Sequence, residues 1–131
     1  MIGLDTNVVV RHLVDDDPVQ SPVAHACFDG LSRHEPGFIS IVTLAEVHWV
    51  LRQSYRFSRE QVHQVIARLL SASDLVIGDA DTARRALAAA DDAGCDFPDA
   101  LIAQLGAAGG CRETVTFDRK AAVLPAVRLL V

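Results

Sequence analysis

Apolar residues follow two spacings along the chain, and the two alternate. Short apolar or β-branched runs at residues 1–4, 37–40, 75–77, 114–117 and 127–130 predict strands, the first of them buried. Between them, apolar residues recur at every third or fourth position, predicting helices over 8–14, 22–31, 42–53, 82–93 and 96–108. A further helix is expected from an N-cap at Ser58, with Gln61 three residues on, through Leu70. Asp15-Asp16-Asp17-Pro18 breaks the first helical stretch, and Gly109-Gly110 stops the last. Strands alternating with helices predict an α/β fold: one domain over residues 1–131, with a parallel sheet of about 4–5 strands flanked by helices on both faces. Folds of this kind place their chemistry at the carboxyl ends of the strands.

Composition narrows the class. Half of the 131 residues are apolar and 22% are charged, which excludes a disordered or coiled-coil chain. No apolar run nears the roughly 18 residues that span a bilayer, and the N-terminus has neither a basic region nor a long apolar one. A cytoplasmic protein without membrane association is expected. Cys27, Cys95 and Cys111 lie far apart and form no CxxC pair, so they are read as small semi-buried residues. The five histidines lack HxxxH or HExxH spacing and are expected at the surface or half-buried. Trp49 is expected to pack in the core or an interface. The high apolar content also points to a buried interface with a second copy or a partner.

The net charge of −5 argues against a protein that simply coats nucleic acid. Thirteen of the seventeen acids are Asp, and several fall where strands are expected to end. Four carboxylates stand out, each with a structural alternative. Asp5 can cap the first helix, Asp99 can share an acidic capping box with Asp96, and Asp118 can cap the turn after the fourth strand. Glu46 lies in an almost wholly apolar helix with Val42, Thr43, Trp49 and Val50 as its helical neighbours. With no cation in reach, it belongs either to a narrow solvent stripe or to a polar site. If all four converged within about 5 Å, each pair would repel by roughly 3 kcal/mol at an effective dielectric near 20. Such a cluster must bind a cation or hold protons, and an all-carboxylate set selects Mg2+ or Mn2+.

The segments Ile2-Gly3-Leu4-Asp5-Thr6-Asn7-Val8, Leu44-Ala45-Glu46-Val47, Asp96-Phe97-Pro98-Asp99-Ala100-Leu101-Ile102-Ala103 and Thr116-Phe117-Asp118 resemble those of the PIN-domain nucleases. Within that family the likeness is to the VapC ribonuclease toxins of type II toxin–antitoxin systems, and it covers nearly the whole chain in order and spacing. The resemblance implies a Mg2+-dependent endoribonuclease, with Mn2+ as a substitute, whose acidic quartet is Asp5, Glu46, Asp99 and Asp118. Thr6, Asn7 and Thr116 match supporting polar positions, and Asp96 is an additional acid. Asp5 and Asp99 would be the main metal ligands, completed by Asp118 and Glu46, with Thr116 orienting Asp118 through its hydroxyl. Arg11, Arg52, Arg56, Arg112, Arg119 and Lys120 are candidates for contact with RNA phosphates. The likeness also implies a homodimer and a VapB-like antitoxin that blocks the active site. Three other functions fit part of the pattern: an RNA-processing PIN nuclease without antitoxin, a non-catalytic RNA- or protein-binding module, and a receiver-like phospho-accepting domain. The receiver reading needs a Lys after the last strand and paired acids after the first, whereas the only Lys is Lys120 and Asp5 is followed by Thr6.

Overall fold

The computed structural model describes residues 1–131, which fall into two compact units, Met1–Ala80 and Asp81–Val131. The first runs β1 (Ile2–Gly3), α1 (Thr6–Leu13), α2 (Gln20–Asp29), β2 (Gly37–Ile39), α3 (Ile41–Gln53), α4 (Arg59–Ser71) and β3 (Leu75–Ile77). Its strands form a parallel sheet in the order β1-β2-β3, with Ile2 opposite Gly37 and Phe38 opposite Val76. The second holds α5 (Ala80–Ala93), α6 (Phe97–Ala108), β4 (Thr114–Thr116), a 3-10 turn (Ala121–Val123) and β5 (Val127–Leu129). Here β4 and β5 pair in parallel, Thr114 opposite Val127. All five expected strands are present, all pairings are parallel, and the fold is α/β.

Local chemistry accounts for the helix ends. The Ser58 hydroxyl accepts from Gln61 N–H at 3.1 Å while Gln61 Oε1 accepts from Ser58 N–H at 2.9 Å, the reciprocal cap expected for α4. Ser40, expected to end a strand, instead caps α3 by accepting from Thr43 N–H at 3.1 Å. Helix α2 starts two residues earlier than expected. Asp17 Oδ1 accepts from Val19 and Gln20 N–H at 2.9 and 2.7 Å, so the residue read as a helix breaker organises the next helix start.

The core of the first unit is built from Val9, Val10, Ile39, Leu44, Val47, Leu51, Val62 and Ile66, all at most 2% exposed. Several burial expectations are corrected. The first strand is not buried: Met1 and Ile2 are exposed, and only Leu4 behind them is enclosed. His48 and His63 are buried, because α3 and α4 turn them inward with Leu44, Leu51, Val62 and Ile66. Their rings lie 5.7 Å apart, and Trp49, itself partly exposed, meets His48 edge-on at 5.0 Å. Of the cysteines, Cys95 is buried and Cys27 half-buried, whereas Cys111 is exposed just beyond the Gly109-Gly110 stop. No helix is long and apolar enough to cross a membrane.

Candidate active site

In the first unit, β1 ends two residues before Asp5, which occupies the N-cap position of α1 with extended backbone. Its carbonyl accepts from Val9 N–H at 3.1 Å, yet its carboxylate makes no capping hydrogen bond. The capping role therefore falls to the backbone alone, and the exposed carboxylate stays at the positive end of the helix. Buried Thr6 donates its hydroxyl to Glu46 Oε1 at 3.3 Å, joining α1 to α3 across forty positions of sequence. Glu46 stands on the exposed stripe Val42–Glu46–Trp49 and faces water, with the Thr6 hydroxyl as its polar partner. Asn7 is exposed and borders a groove of about 410 Å3 between α1 and α2, whose walls include Val8, Val19, Val23 and Cys27.

In the second unit, Asp96 takes the N-cap position of α6, again without a side-chain cap, and Pro98 pre-sets the first turn. The acidic capping box expected of Asp96 and Asp99 is thus absent; Asp99 N–H bonds the Asp96 carbonyl at 3.1 Å instead. Asp99 is half-buried, and its carboxyl is pushed above the usual range, first by burial and then by the charges of Asp118 and Asp96. The Thr116 hydroxyl accepts from Asp118 N–H at 3.0 Å. Asp118 is therefore oriented by Thr116 through its backbone, and its Oδ1 also accepts from Lys120 N–H at 2.8 Å. The turn-capping alternative for Asp118 is real, and it leaves Oδ2 of an exposed carboxylate outward. A hollow of about 180 Å3 opens here, bordered by Asp99, Ile102, Thr116, Ala121 and Val127.

These donors are all oxygen, the chemistry that suits a hard divalent cation, and the mutual repulsion around Asp99 is what such a cation relieves. No three His, Cys, Asp or Glu side chains are gathered in a group that could hold a metal ion. In donor type and charge the residues fit Mg2+ or Mn2+.

The basic candidates divide into two groups. Arg11 donates to Gln20 Oε1 at 2.8 Å and to the Tyr55 hydroxyl at 3.1 Å, and lies within 4 Å of Asp16 and Asp17 carboxylates. Arg52 donates to the Phe57 carbonyl at 3.2 Å, closing the α3–α4 turn. Both serve the fold. Arg56, Arg112, Arg119 and Lys120 are exposed, Arg56 in the left-handed region at φ 57° and Arg112 within 3.8 Å of Glu113.

Sequence spacing gave no sign of one pair. His12 Nδ1 and His25 Nδ1 are 2.9 Å apart, joining α1 to α2, with His12 stacked on Phe28 at 3.8 Å and His25 Nε2 3.4 Å from Asp15. A thirteen-residue separation across a loop is neither a helical nor a metal-motif spacing.

Compared with known proteins, the chain matches the family model of the PIN domain over residues 2–127. No curated protein matches it.

Proposed function

Because the chain belongs to the PIN-domain family, whose members are nucleases as a rule, we propose that it is a Mg2+- or Mn2+-dependent endoribonuclease. We read residues 1–131 as one PIN domain, with Asp5, Glu46, Asp99 and Asp118 as its acidic quartet. The observation that carries this reading is the family match itself, which spans all four acids. The local geometry supports it: Asp5 and Asp96 stand at helix starts without capping through their carboxylates, and Glu46 is held by the residue next to Asp5.

Each residue then has a defined task. Asp5 and Asp99 are the main ligands, Asp5 presented at the α1 terminus and Asp99 from half-buried ground. The Thr6 hydroxyl fixes one Glu46 oxygen, and Lys120 N–H fixes one Asp118 oxygen, leaving the second oxygen of each for a ligand or a water. Glu46 or Asp118 accepts the proton of the attacking water. Asn7 and Asp96 support the ligands from the same two helix starts. A bound divalent ion would supply charge neutralisation at the phosphodiester and acidify its own water. Arg56, Arg112, Arg119 and Lys120 are the cations available for RNA phosphates, whereas Arg11 and Arg52 act through the fold. Within the family we infer the VapC-like role: a cytoplasmic toxin, homodimeric and held inactive by a VapB-like antitoxin.

Total RNA incubated with purified protein and Mg2+ should give discrete fragments. EDTA, Asp5→Asn and Asp99→Asn should each abolish them. Full cleavage by both variants would move the site elsewhere, and absence of cleavage by folded, antitoxin-free protein with either metal would overturn the nuclease reading.

A further inference from the structure

Helices α1 and α2 meet through two imidazoles whose surroundings suit a ligand as well as a joint. His12 stands in the last turn of α1 and His25 within α2, with Nδ1 facing Nδ1 at 2.9 Å. Each ring is fixed from another side. His12 stacks on Phe28, 3.8 Å between centroids and 4° between planes, and His25 Nε2 lies 3.4 Å from Asp15 Oδ1. A neutral imidazole carries one proton, and the Asp15 carboxylate draws that of His25 onto Nε2. Its Nδ1 is then a bare lone pair offered to His12. The space between the two nitrogens takes one proton, donated by His12, or a cation in its place.

The electrostatics favour a cation. Asp29 and Asp74 are the acids whose charges bear on His12, and Asp15 is the one against His25. The rings supply little positive charge of their own, since burial first, and then His25, pushes the His12 imidazolium below its ordinary value. A carboxylate behind a ligating histidine also recurs at metal centres, because it fixes the tautomer and raises the basicity of the coordinating nitrogen.

The spacing selects the ion. Metal–imidazole bonds are about 2.0–2.1 Å long, so donors 2.9 Å apart subtend about 90° at the ion. A tetrahedral centre such as Zn2+ would set the two nitrogens about 3.4 Å apart. Right angles between nitrogen donors belong to the tetragonal ions Cu2+ and Ni2+, whereas Mg2+ and Mn2+ prefer oxygen. No third His, Cys, Asp or Glu joins the pair in a metal-holding group, so water completes the coordination and the ion exchanges with solvent.

We propose that His12 and His25 form a binding site for a divalent transition-metal ion, Cu2+ or Ni2+, held by both Nδ1 atoms and clamping α1 to α2. The His12 proton moves to Nε2 as the ion binds, leaving both rings neutral. The site takes a different class of ion from the acidic quartet and does not depend on the nuclease reading.

The test titrates metal-free protein with Ni2+ by calorimetry at pH 7.5, with His12→Phe, His25→Gln and the double variant alongside, each first checked for folding by circular dichroism. Phe keeps a ring against Phe28 and Gln replaces a part-exposed side chain, so the fold should survive both. Wild type should bind one Ni2+ per chain, and each single variant should bind it about tenfold or more weakly, because a chelating pair becomes a single ligand. Ni2+ should raise the Tm of wild type but not of the double variant. Binding should weaken at pH 5.5, where the ligand nitrogens take up protons, and should withstand a large excess of Mg2+. A wild type that binds no Ni2+ overturns the site. Equal binding by wild type and double variant does so too, and would place the ion on other exposed groups such as His34 or Cys111. Displacement of Ni2+ by Mg2+ would move the ion to the carboxylates and equally overturn the site. Tighter binding of Zn2+ than of Ni2+ overturns the choice of ion.

Discussion

Gly37 lies in the middle strand, where an added Cβ would stand 2.8 Å from Leu4 Cδ1 and 2.9 Å from Leu31 Cδ1. Both neighbours are buried leucine tips, so two packed side chains must shift at once to admit one methyl group. Gly37→Ala should therefore lower stability by about 1–2 kcal/mol in a denaturant titration, without a change in m. Unchanged stability would mean that the leucines repack freely. The acids show what a residue's type can and cannot disclose. Asp5, Asp96 and Asp118 stand at the strand ends and helix starts that their neighbours predicted, because strand runs and capping positions are local properties. The Thr6–Glu46 bond is not local, since it depends on which face of α3 meets the start of α1. Whether Asp118 capped a turn or faced a ligand was equally undetermined; it does the first with one oxygen and keeps the other.

Helices α1 and α2 are joined by the His12–His25 contact, and the joint should respond to pH. Burial first, then the nearby His25, pushes the His12 imidazolium below its ordinary value of 6.5, while Asp29 and Asp74 pull the other way. Asp15 lies against the far nitrogen of His25. The sign follows from proton counting. The unfolded chain binds the His12 proton more readily than the folded one, so this contribution is complete above pH 6.5 and is lost as the pH falls through the folded value. Stability should decline as the pH falls below about 6.5, with the earliest loss of amide protection in α1 and α2. His12→Phe, which keeps a ring against Phe28, should flatten that decline. Equal slopes for the two proteins would show that His12 does not carry the decline. At this scale the helices were readable from periodicity and their ends were less so. The start of α2 depends on Asp17, whose carboxylate accepts from Val19 and Gln20 N–H although the residue sits in the stretch expected to break the helix.

On the metal-dependent nuclease reading proposed above, the chain should carry an electrostatic cost when free of metal. Asp99 holds its proton more tightly in the folded chain than in the unfolded one, so its contribution is favourable at acid pH and is lost as the pH rises through the folded value. Near neutral pH the metal-free protein is the less stable for it, modestly so because solvent screens a half-exposed group. Asp99→Asn should accordingly match or exceed the metal-free stability of the wild type. Mg2+ at a hundred times its Kd should stabilise wild type by about 2.7 kcal/mol, roughly 10 °C in Tm, and Asp99→Asn far less. Thermal unfolding with and without Mg2+ at pH 5 and pH 7.5 checks both, with the larger metal effect expected at pH 7.5. An equal Mg2+ shift in wild type and variant would remove Asp99 from the ligand set.

The amino-acid order by itself determined the α/β alternation, the five parallel strands, the reciprocal cap of α4 and the family to which the chain belongs. Strand runs, helical spacing, caps and short motifs act within a few residues, and a linear reading contains all the information they need. Tertiary structure decided which side chains faced inward and which distant ones met. It buried His48 and His63, left Met1, Ile2 and Phe117 in water, and brought His12 to His25 and Thr6 to Glu46. It also committed Arg11 and Arg52 to the fold while leaving Arg119 and Lys120 exposed. Burial and long-range pairing depend on how one helix face or strand edge is set against another, and that placement is a property of the packed chain, not of any segment within it.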